Sequence, residues 1–275
     1  MRWITARRRH PAAGYAVVLL MLVALGGGYA FLTGSGAAAA PVSGPSSESI
    51  AKGADLFARN CATCHGLDAQ GTSVAPSLIG VGAAAVDFQV STGRMPAKQT
   101  EAEQARKPLA PDFAGENGPA NIRAVADYIQ SLAGGPPIPT PAQVSTEGAD
   151  VGRGQQLFIA NCAACHNFVG AGGALTYGKY APALNQSTPT QIYEAMVTGP
   201  EAMPHFADST LTPQSKRDII AYVTGKSTET NPGGFSLGRV GPVTEGLVAF
   251  LGILFAVILS AMWIVAKQHG KTTDD

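Results

Sequence analysis

Two long apolar stretches frame the chain, and a mixed apolar and polar pattern lies between them. Residues 15–32 are apolar without a break, and residues 243–265 form a second stretch that only Ser260 and polar residues near its start interrupt. A helix needs about 20 apolar residues to cross the hydrocarbon core of a bilayer. Both stretches have roughly that length, so the pattern predicts membrane helices over residues 15–33 and 243–265.

The first apolar stretch also fits a second interpretation. It follows the basic residues 1–14 and precedes Ala37-Ala38-Ala39-Ala40-Pro41, and these features together describe a signal peptide with a small-residue cleavage site. The apolar core of a signal peptide usually has about 7–15 residues, so the greater length here favours a retained anchor, while cleavage stays open. The second stretch carries no charge from Gly246 to Ala266, which is too long a run for a buried core helix and predicts an anchor.

Basic residues at both ends predict how the chain lies in the membrane. Arginines cluster before the first stretch, and Lys267 and Lys271 lie in the tail of residues 266–275. The positively charged flanks of membrane helices stay on the cytoplasmic side. We therefore expect a cell-membrane protein, single-pass or multi-pass, whose residues between the two stretches lie outside the cytoplasm.

The region between the stretches contains an internal repeat. Residues 53–61 match residues 154–162 at their glycine, leucine, phenylalanine, asparagine and cysteine positions, with an offset of 101 residues. A Pro-x-Leu triplet, a Met-Pro pair and an amphipathic helical pattern then follow in the same order in both copies. This ordered series predicts two copies of one helical domain, over residues 50–133 and 151–226.

Segments rich in glycine, proline and small polar residues predict linkers over residues 34–49, 134–150 and 227–242. Each repeated domain then has only about 80 residues, and aromatic residues make up 7% of the chain, so little apolar volume is available for a core. A bound macrocycle would supply the missing volume. Charged residues make up 14% and the formal net charge is zero, which fits a membrane protein and predicts no nucleic-acid partner.

All four cysteines lie in two C-x-x-C pairs, and a histidine follows each pair directly. The two motifs are Cys61-Ala62-Thr63-Cys64-His65 and Cys162-Ala163-Ala164-Cys165-His166. Residues three and four apart share a helix face, so both thiols can reach one edge of a flat ring while the imidazole points at its centre. This pattern is typical of c-type haem, which two thioether bonds hold and a proximal histidine ligates. Pro76 and Pro182 follow the motifs and are expected to shape the loops near the histidines.

Two other readings of the cysteine pairs are weaker. A thioredoxin-like redox pair expects a βαβ context, which the helical pattern does not provide. Four thiolates from both pairs could in principle bind one zinc ion. The separation of 101 residues, the two adjacent histidines and the repeat all favour two haems instead.

The two Met-Pro pairs contain the candidates for the distal iron ligand, Met95 and Met203, which follow their histidines by 30 and 37 residues. A single methionine is usually a core residue. Matching positions in both copies favour ligation, in which a thioether opposite histidine raises the haem potential. Met196 and His205 compete with Met203, but Met196 lies in an apolar helical pattern that predicts a core position, and His205 adjoins Met203.

The copies differ between the Met-Pro pair and the last helix. The first copy is longer there, by roughly residues 97–120, and the extra segment carries several charged side chains. The sequence allows either a solvated excursion or a docking surface for a partner protein.

The order of these features resembles the dihaem cytochrome c subunit of the actinobacterial cytochrome bcc complex. The resemblance covers nearly the whole chain, from the arginine-rich start through two haem motifs to the C-terminal apolar stretch. It implies an all-α fold with two tandem class I cytochrome c domains plus membrane helices. It also implies two covalently bound haem c groups, held by Cys61, Cys64, Cys162 and Cys165 and ligated by His65, Met95, His166 and Met203.

The resemblance further implies a place in respiration. Such a subunit takes electrons from the Rieske iron–sulfur protein and passes them between its haems to a terminal haem-copper oxidase. Its expected partners are the cytochrome b and Rieske subunits, the oxidase and membrane lipid. The chain would then be an electron-transfer subunit of a quinol–cytochrome c reductase, a translocase, with no independent catalytic site.

Other functions stay open at this point. An anchored dihaem subunit could serve another oxidase, reductase or dehydrogenase, although such oxidase subunits usually carry the anchor before the haem domains. A dihaem peroxidase needs an open iron site, against which Met95 and Met203 both argue. A haem-based sensor needs an output domain, and none follows the last apolar stretch.

Overall fold

The structure, a computed structural model, describes residues 13–33, 44–99, 103–228, 237 and 241–272. Helices dominate these residues, which confirms the prediction of an all-α fold. In chain order the helices are α1 Ala13–Thr33, α2 Ser47–Asn60, α3 Ala62–His65, α4 Ala83–Ser91, α5 Gly118–Ala133, α6 Pro141–Val144, α7 Val151–Asn161, α8 Ala163–His166, α9 Pro189–Thr198, α10 Pro213–Thr228 and α11 Pro242–Thr272. Short 3₁₀ turns lie at Pro111–Phe113 and Thr176–Gly178, and the two-residue strands β1 Gly173–Ala174 and β2 Tyr180–Ala181 pair antiparallel.

Residues 1–44 and residues 45–275 form separate compact units. The described part of the first unit includes helix α1, in which residues 17–26 form an exposed apolar run. The predicted first apolar segment is thus helical. Its retention as an anchor or removal as a signal peptide stays a prediction, because the basic start and the alanines after position 36 lie outside the described residues.

In the first repeated domain, helix α2 crosses helix α5 at very close range. A Cβ atom built on Gly53 would overlap the backbone carbonyl group of Ala124, so only glycine permits this approach. One turn later along α2, the buried ring of Phe57 packs on Tyr128 of α5, with ring centroids 5.4 Å apart and planes tilted by 51°. The two helices are therefore held together by backbone contact and by an aromatic pair.

The second repeated domain reproduces this crossing with helices α7 and α10. A Cβ atom on Gly154 would overlap the backbone carbonyl group of Asp218. The rings of Phe158 and Tyr222 lie 5.4 Å apart with planes tilted by 52°, almost the same arrangement as in the first domain. The glycine and phenylalanine that mark the sequence repeat are thus the residues that allow the two outer helices of each domain to pack.

Replacing Gly154 by alanine should destabilise the second domain. The new methyl group forces α7 away from α10, and such overpacking costs about 1–3 kcal/mol. The matched control is Gly152→Ala on the same helix, where the nearest atom to an added Cβ is Asp150 Oδ1 at 3.4 Å. Thermal unfolding of the purified variants should show a lower midpoint for Gly154→Ala only; equal midpoints would contradict the packing argument.

The two repeated domains pack on each other through helices α4 and α9. Gln191 Nε2 of α9 donates a hydrogen bond to Ser91 Oγ of α4, at 3.1 Å. Beside this bond lies an acidic pair, Asp87 on α4 and the fully buried Glu194 on α9. Burial, followed by the neighbouring Asp87 charge, raises the pKa of Glu194 to about 10. Burial also raises the pKa of Asp87, against the opposing effects of a hydrogen bond with Glu194 and of the Arg123 charge.

The raised pKa of Glu194 predicts a pH-dependent stability. The folded protein keeps a proton on Glu194 that the unfolded chain releases, so the free energy of unfolding should fall as the pH rises from the ordinary value of 4.5 towards about 10. Glu194→Gln removes this slope. It should stabilise the protein by about 1–3 kcal/mol at pH 8 and by much less at pH 5.

Thermal midpoints of native protein and variant at both pH values check this expectation. Glu116→Gln is the matched control, because Glu116 is exposed. An unchanged pH slope in Glu194→Gln would show that Glu194 is not buried in its protonated form.

Helix α11 is the one described helix that is long and apolar enough to cross a membrane. Its apolar part, Pro242–Ala266, has 25 residues, and none of it is buried against the rest of the protein. The span agrees closely with the C-terminal anchor predicted over residues 243–265. Of the linker predicted over residues 227–242, positions 229–236 and 238–240 lie outside the described residues.

Candidate haem sites

Each C-x-x-C-H motif lies on a short helical turn that branches from the helix before it. Cys61 ends α2 and begins α3, and its carbonyl oxygen accepts hydrogen bonds from the backbone N–H groups of Cys64 and His65, at 3.1 and 3.0 Å. The second motif repeats these bonds at 3.1 and 2.9 Å. The position of each motif is therefore fixed by the helix crossing that precedes it.

The motif histidines are oriented by backbone carbonyl groups. Nδ1 of His65 lies 2.8 Å from the carbonyl oxygen of Pro76, and Nδ1 of His166 lies 3.0 Å from that of Pro182. A carbonyl oxygen only accepts, so Nδ1 carries a proton, and in the neutral imidazole Nε2 then keeps its lone pair. This is the arrangement in which a neutral imidazole ligates a metal through Nε2. The sequence located both prolines but not this role of their carbonyl groups.

The methionines of the two Met-Pro pairs pack on the same cores as the motifs. Met95 and Cys61 are partly buried against the core of the first domain, and Met203 and Cys162 against that of the second. The competing residue Met196 is buried in the second core with 2% of its surface exposed, as its sequence pattern predicts.

The second domain contains a cavity between its motif and its Met-Pro pair. Its lining includes Cys162, Cys165 and His166 of the motif together with Met203 and Pro204. Most of the remaining lining is apolar, and includes Phe158, Leu184, Ile192, Met196 and Phe206. His205 is exposed at the surface. The donor set fits a c-type haem, because two thiols, an imidazole with a free Nε2 and a thioether surround an apolar space.

The environment of the first cysteine in each motif argues against a redox-active pair of thiols. Burial, with a smaller effect of the second cysteine of the pair, raises the pKa of Cys61 to about 11 and that of Cys162 to about 11. Reactive C-x-x-C thiols have a lowered pKa instead. Burial also lowers the pKa of His166, against the opposing hydrogen bond to Pro182, and so favours the neutral, ligating form.

The zinc reading finds no support either. Within the ranges that the structure describes, no three or more His, Cys, Asp and Glu side chains lie together as a metal site.

The longer segment of the first domain contacts the second domain. Glu103 Oε1 accepts from the backbone N–H of Tyr180 at 3.0 Å, and the backbone N–H of Gln104 donates to Glu201 Oε1 at 2.9 Å. Arg106 Nη2 also reaches across to Gln191 Oε1. The described part of residues 97–120 is thus not wholly solvated, because Glu103 and Gln104 contact the second domain.

Comparison with known proteins agrees with this architecture. The family model of cytochrome c matches residues 50–133, and that of subunit III of cbb3-type cytochrome c oxidase matches residues 149–223. Both halves of the repeat are therefore cytochrome c domains, a domain type with covalently bound haem c.

Full-length relatives identify the family more closely. Three proteins named cytochrome bc1 complex cytochrome c subunit are similar to this chain. The Mycobacterium leprae protein is 46% identical over 257 residues, which are 90% of this chain and 87% of the relative. The Mycobacterium bovis protein is 43% identical over 270 residues, 96% and 94% of the two chains, and the Corynebacterium diphtheriae protein is 43% identical over 234 residues, 80% and 81%. The resemblance noted from the motif order is thereby confirmed, and the chain belongs to the family of cytochrome c subunits of the cytochrome bc1 complex.

Proposed function

We propose that this protein relays electrons from a Rieske iron–sulfur protein, through two haems of its own, to a terminal haem-copper oxidase. The observation that carries the proposal is the duplicated site. Two domains in one chain each present a histidine held through Nδ1 by a proline carbonyl and a methionine packed on the same core as the motif. One domain can receive electrons from a donor protein while the other passes them to an acceptor protein.

The donor sets support one haem c in each domain. The apolar cavity of the second domain and the free Nε2 atoms of both histidines suit a ring ligated by imidazole and thioether. The first haem would be held by Cys61, Cys64, His65 and Met95, and the second by Cys162, Cys165, His166 and Met203.

Ligation by histidine and methionine limits the chemistry that this chain performs. Haem c, when bound, supplies a reversible one-electron couple at its iron. The histidine Nε2 and the methionine thioether would be the two protein ligands of the iron, and the thioether would raise the potential of that couple. We therefore expect no independent catalytic site. The chain acts as an electron-transfer subunit of a quinol–cytochrome c reductase, with the cytochrome b and Rieske subunits as its partners.

The membrane position follows from helix α11 and its flanks. The 25 apolar residues of Pro242–Ala266 are long enough to span a bilayer. Lys267 and Lys271 follow the span and favour a cytoplasmic C-terminus. Both haem domains then lie on the extracytoplasmic side, close to quinol-oxidising and oxygen-reducing complexes in the same membrane.

A second candidate is an anchored dihaem subunit of another oxidase or reductase. The match of residues 149–223 to a cbb3-type oxidase subunit favours it, but that match covers only the second domain. The similarity of whole chains and the anchor after the haem domains favour the bc1-type assignment.

If Met95 and Met203 are the iron ligands, replacing either one should change the spectrum and the potential of one haem. Met95→Leu and Met203→Leu should each open one of the two irons, so that the reduced protein binds CO there and the potential of that haem falls. The fall should be roughly 0.1 V or more, because axial ligands move haem potentials over about 0.8 V. The control is Met196→Leu, a buried methionine outside the proposed ligand set, which should keep both irons low-spin. A Met203→Leu protein with an intact low-spin spectrum and potential would show that another group, such as His205, is the ligand.

The relay predicts respiration without a soluble carrier. A detergent-purified assembly that contains this chain should couple quinol oxidation to oxygen uptake on its own, because both electron-transfer faces belong to one tethered protein. The measurement is quinol-driven oxygen uptake with and without added soluble cytochrome c. Activity that appears only after the addition would contradict the bridging role and favour the second candidate.

A further inference from the structure

The haem cavity of the second domain is completed by residues of the first domain. Arg94, Arg106, Glu103 and Phe88 all belong to the first domain, and all four line this cavity. Arg94 directly precedes Met95, and Arg106 lies in the longer segment that the sequence left without a role. The second site therefore depends on the first domain for the two arginines in its wall.

Arg94 is a buried cation with spare donor capacity. Only 6% of its surface is exposed, and its Nη1 atom has no hydrogen-bonding partner among the residues that the structure describes. Its guanidinium carbon lies 5.0 Å from the centre of the Phe88 ring, and its Nε lies 3.9 Å from Glu201 Oε1, at the limit of an ion pair. A buried charge without good partners is costly, so an unpaired guanidinium nitrogen at a cofactor cavity indicates an anionic group of the cofactor.

The acidic side chains nearby are already engaged by backbone donors. Glu201 Oε1 accepts from the backbone N–H of Gln104, and Glu103 Oε1 accepts from that of Tyr180. Arg106 Nη2 donates to Gln191 Oε1 at 3.2 Å, which fixes the side chain of this exposed arginine at the domain boundary. The backbone of Arg94 is also held, because Lys107 Nζ donates to its carbonyl oxygen at 2.6 Å. These hydrogen bonds therefore hold the Arg106 side chain and the Arg94 backbone beside the cavity.

We propose that Arg94 and Arg106 of the first domain bind the propionate carboxylates of the haem in the second domain. The inference rests on the proposed haem site of the second domain. A haem c joined to protein at its two thioether bonds still carries two carboxylates, and guanidinium groups are the side chains best suited to bind them. Among the described residues that line this cavity, Arg94 and Arg106 are the two with permanently positive side chains.

This contact would couple the two haem sites. Arg94 is bonded directly to Met95, the proposed ligand of the first haem, while its side chain lines the cavity proposed for the second haem. A positive charge near a haem stabilises the reduced form, because reduction adds negative charge. The arginines therefore raise the potential of the second haem, although they belong to the first domain.

The test is a redox titration of the full-length protein in detergent. Arg94→Gln and Arg106→Gln should each lower the potential of the second haem and leave that of the first unchanged. The equilibrium constant for reduction should fall about three- to tenfold, where tenfold corresponds to about 59 mV for one electron. Arg94→Lys, which keeps the charge but loses the planar fork, should give a smaller shift.

Two controls make the assignment specific. The redox titration should show two one-electron waves, one for each haem. The Met95 and Met203 variants identify which wave belongs to which haem. Arg59→Gln removes an equally positive side chain of the first domain that pairs with Asp55 and Asp112 outside the cavity, and it should move neither wave.

The outcomes separate the two proposals. A shift of the first-haem wave alone, or of neither wave, overturns the propionate contact, and so does an equal shift in Arg59→Gln. A measured content of one haem per chain would instead overturn the second haem site itself. If Arg94→Gln fails to fold, the exposed Arg106→Gln and the charge-conserving Arg94→Lys decide the question through the same titration.

Discussion

The close crossing of two helices in each domain is the constraint on which both sites depend. Gly53 and Gly154 have no side chain, so α2 and α7 can rest on the backbones of α5 and α10. The haem motifs follow directly after α2 and α7, and their positions are set by these crossings. The aromatic pairs beside the glycines have nearly equal geometry in both domains. The two copies of the sequence repeat thus use the same packing of one helix against another.

Hydrogen bonds to backbone carbonyl groups then complete each site. The carbonyl oxygens of Pro76 and Pro182 accept hydrogen bonds from Nδ1 of the motif histidines and leave Nε2 free for the proposed bond to a haem iron. The protein thereby chooses the imidazole tautomer before the cofactor chemistry begins. Burial raises the thiol pKa of the first cysteine of each motif. The protonated thiol is thereby favoured over the thiolate that redox enzymes use.

The boundary between the domains combines charges of both signs in a largely buried setting. Asp87 and Glu194 face each other across α4 and α9, while Arg94 and Arg106 face the haem cavity of the second domain. Such groups are costly to bury unless they are protonated, paired or ligand-bound. Glu194 meets this condition by holding its proton, and the buried Arg94 would meet it by binding a carboxylate. The two domains are therefore held together by specific non-covalent contacts and not only by the linker between them.

The sequence alone determined the helical class, the two domains, the cysteine and histidine positions and the C-terminal span, because spacing and apolar length are local properties of a chain. The repeated Gly53 and Gly154 were visible in it, but their purpose was not, since their neighbours lie about 60–70 residues away on another helix. The sequence also allowed two interpretations of residues 97–120, a solvated excursion or a docking surface for a partner protein. Only the tertiary structure brought Glu103, Gln104 and Arg106 onto the second domain. Contacts of this kind join residues some 80–100 positions apart, and neither helical periodicity nor motif spacing carries information over that distance.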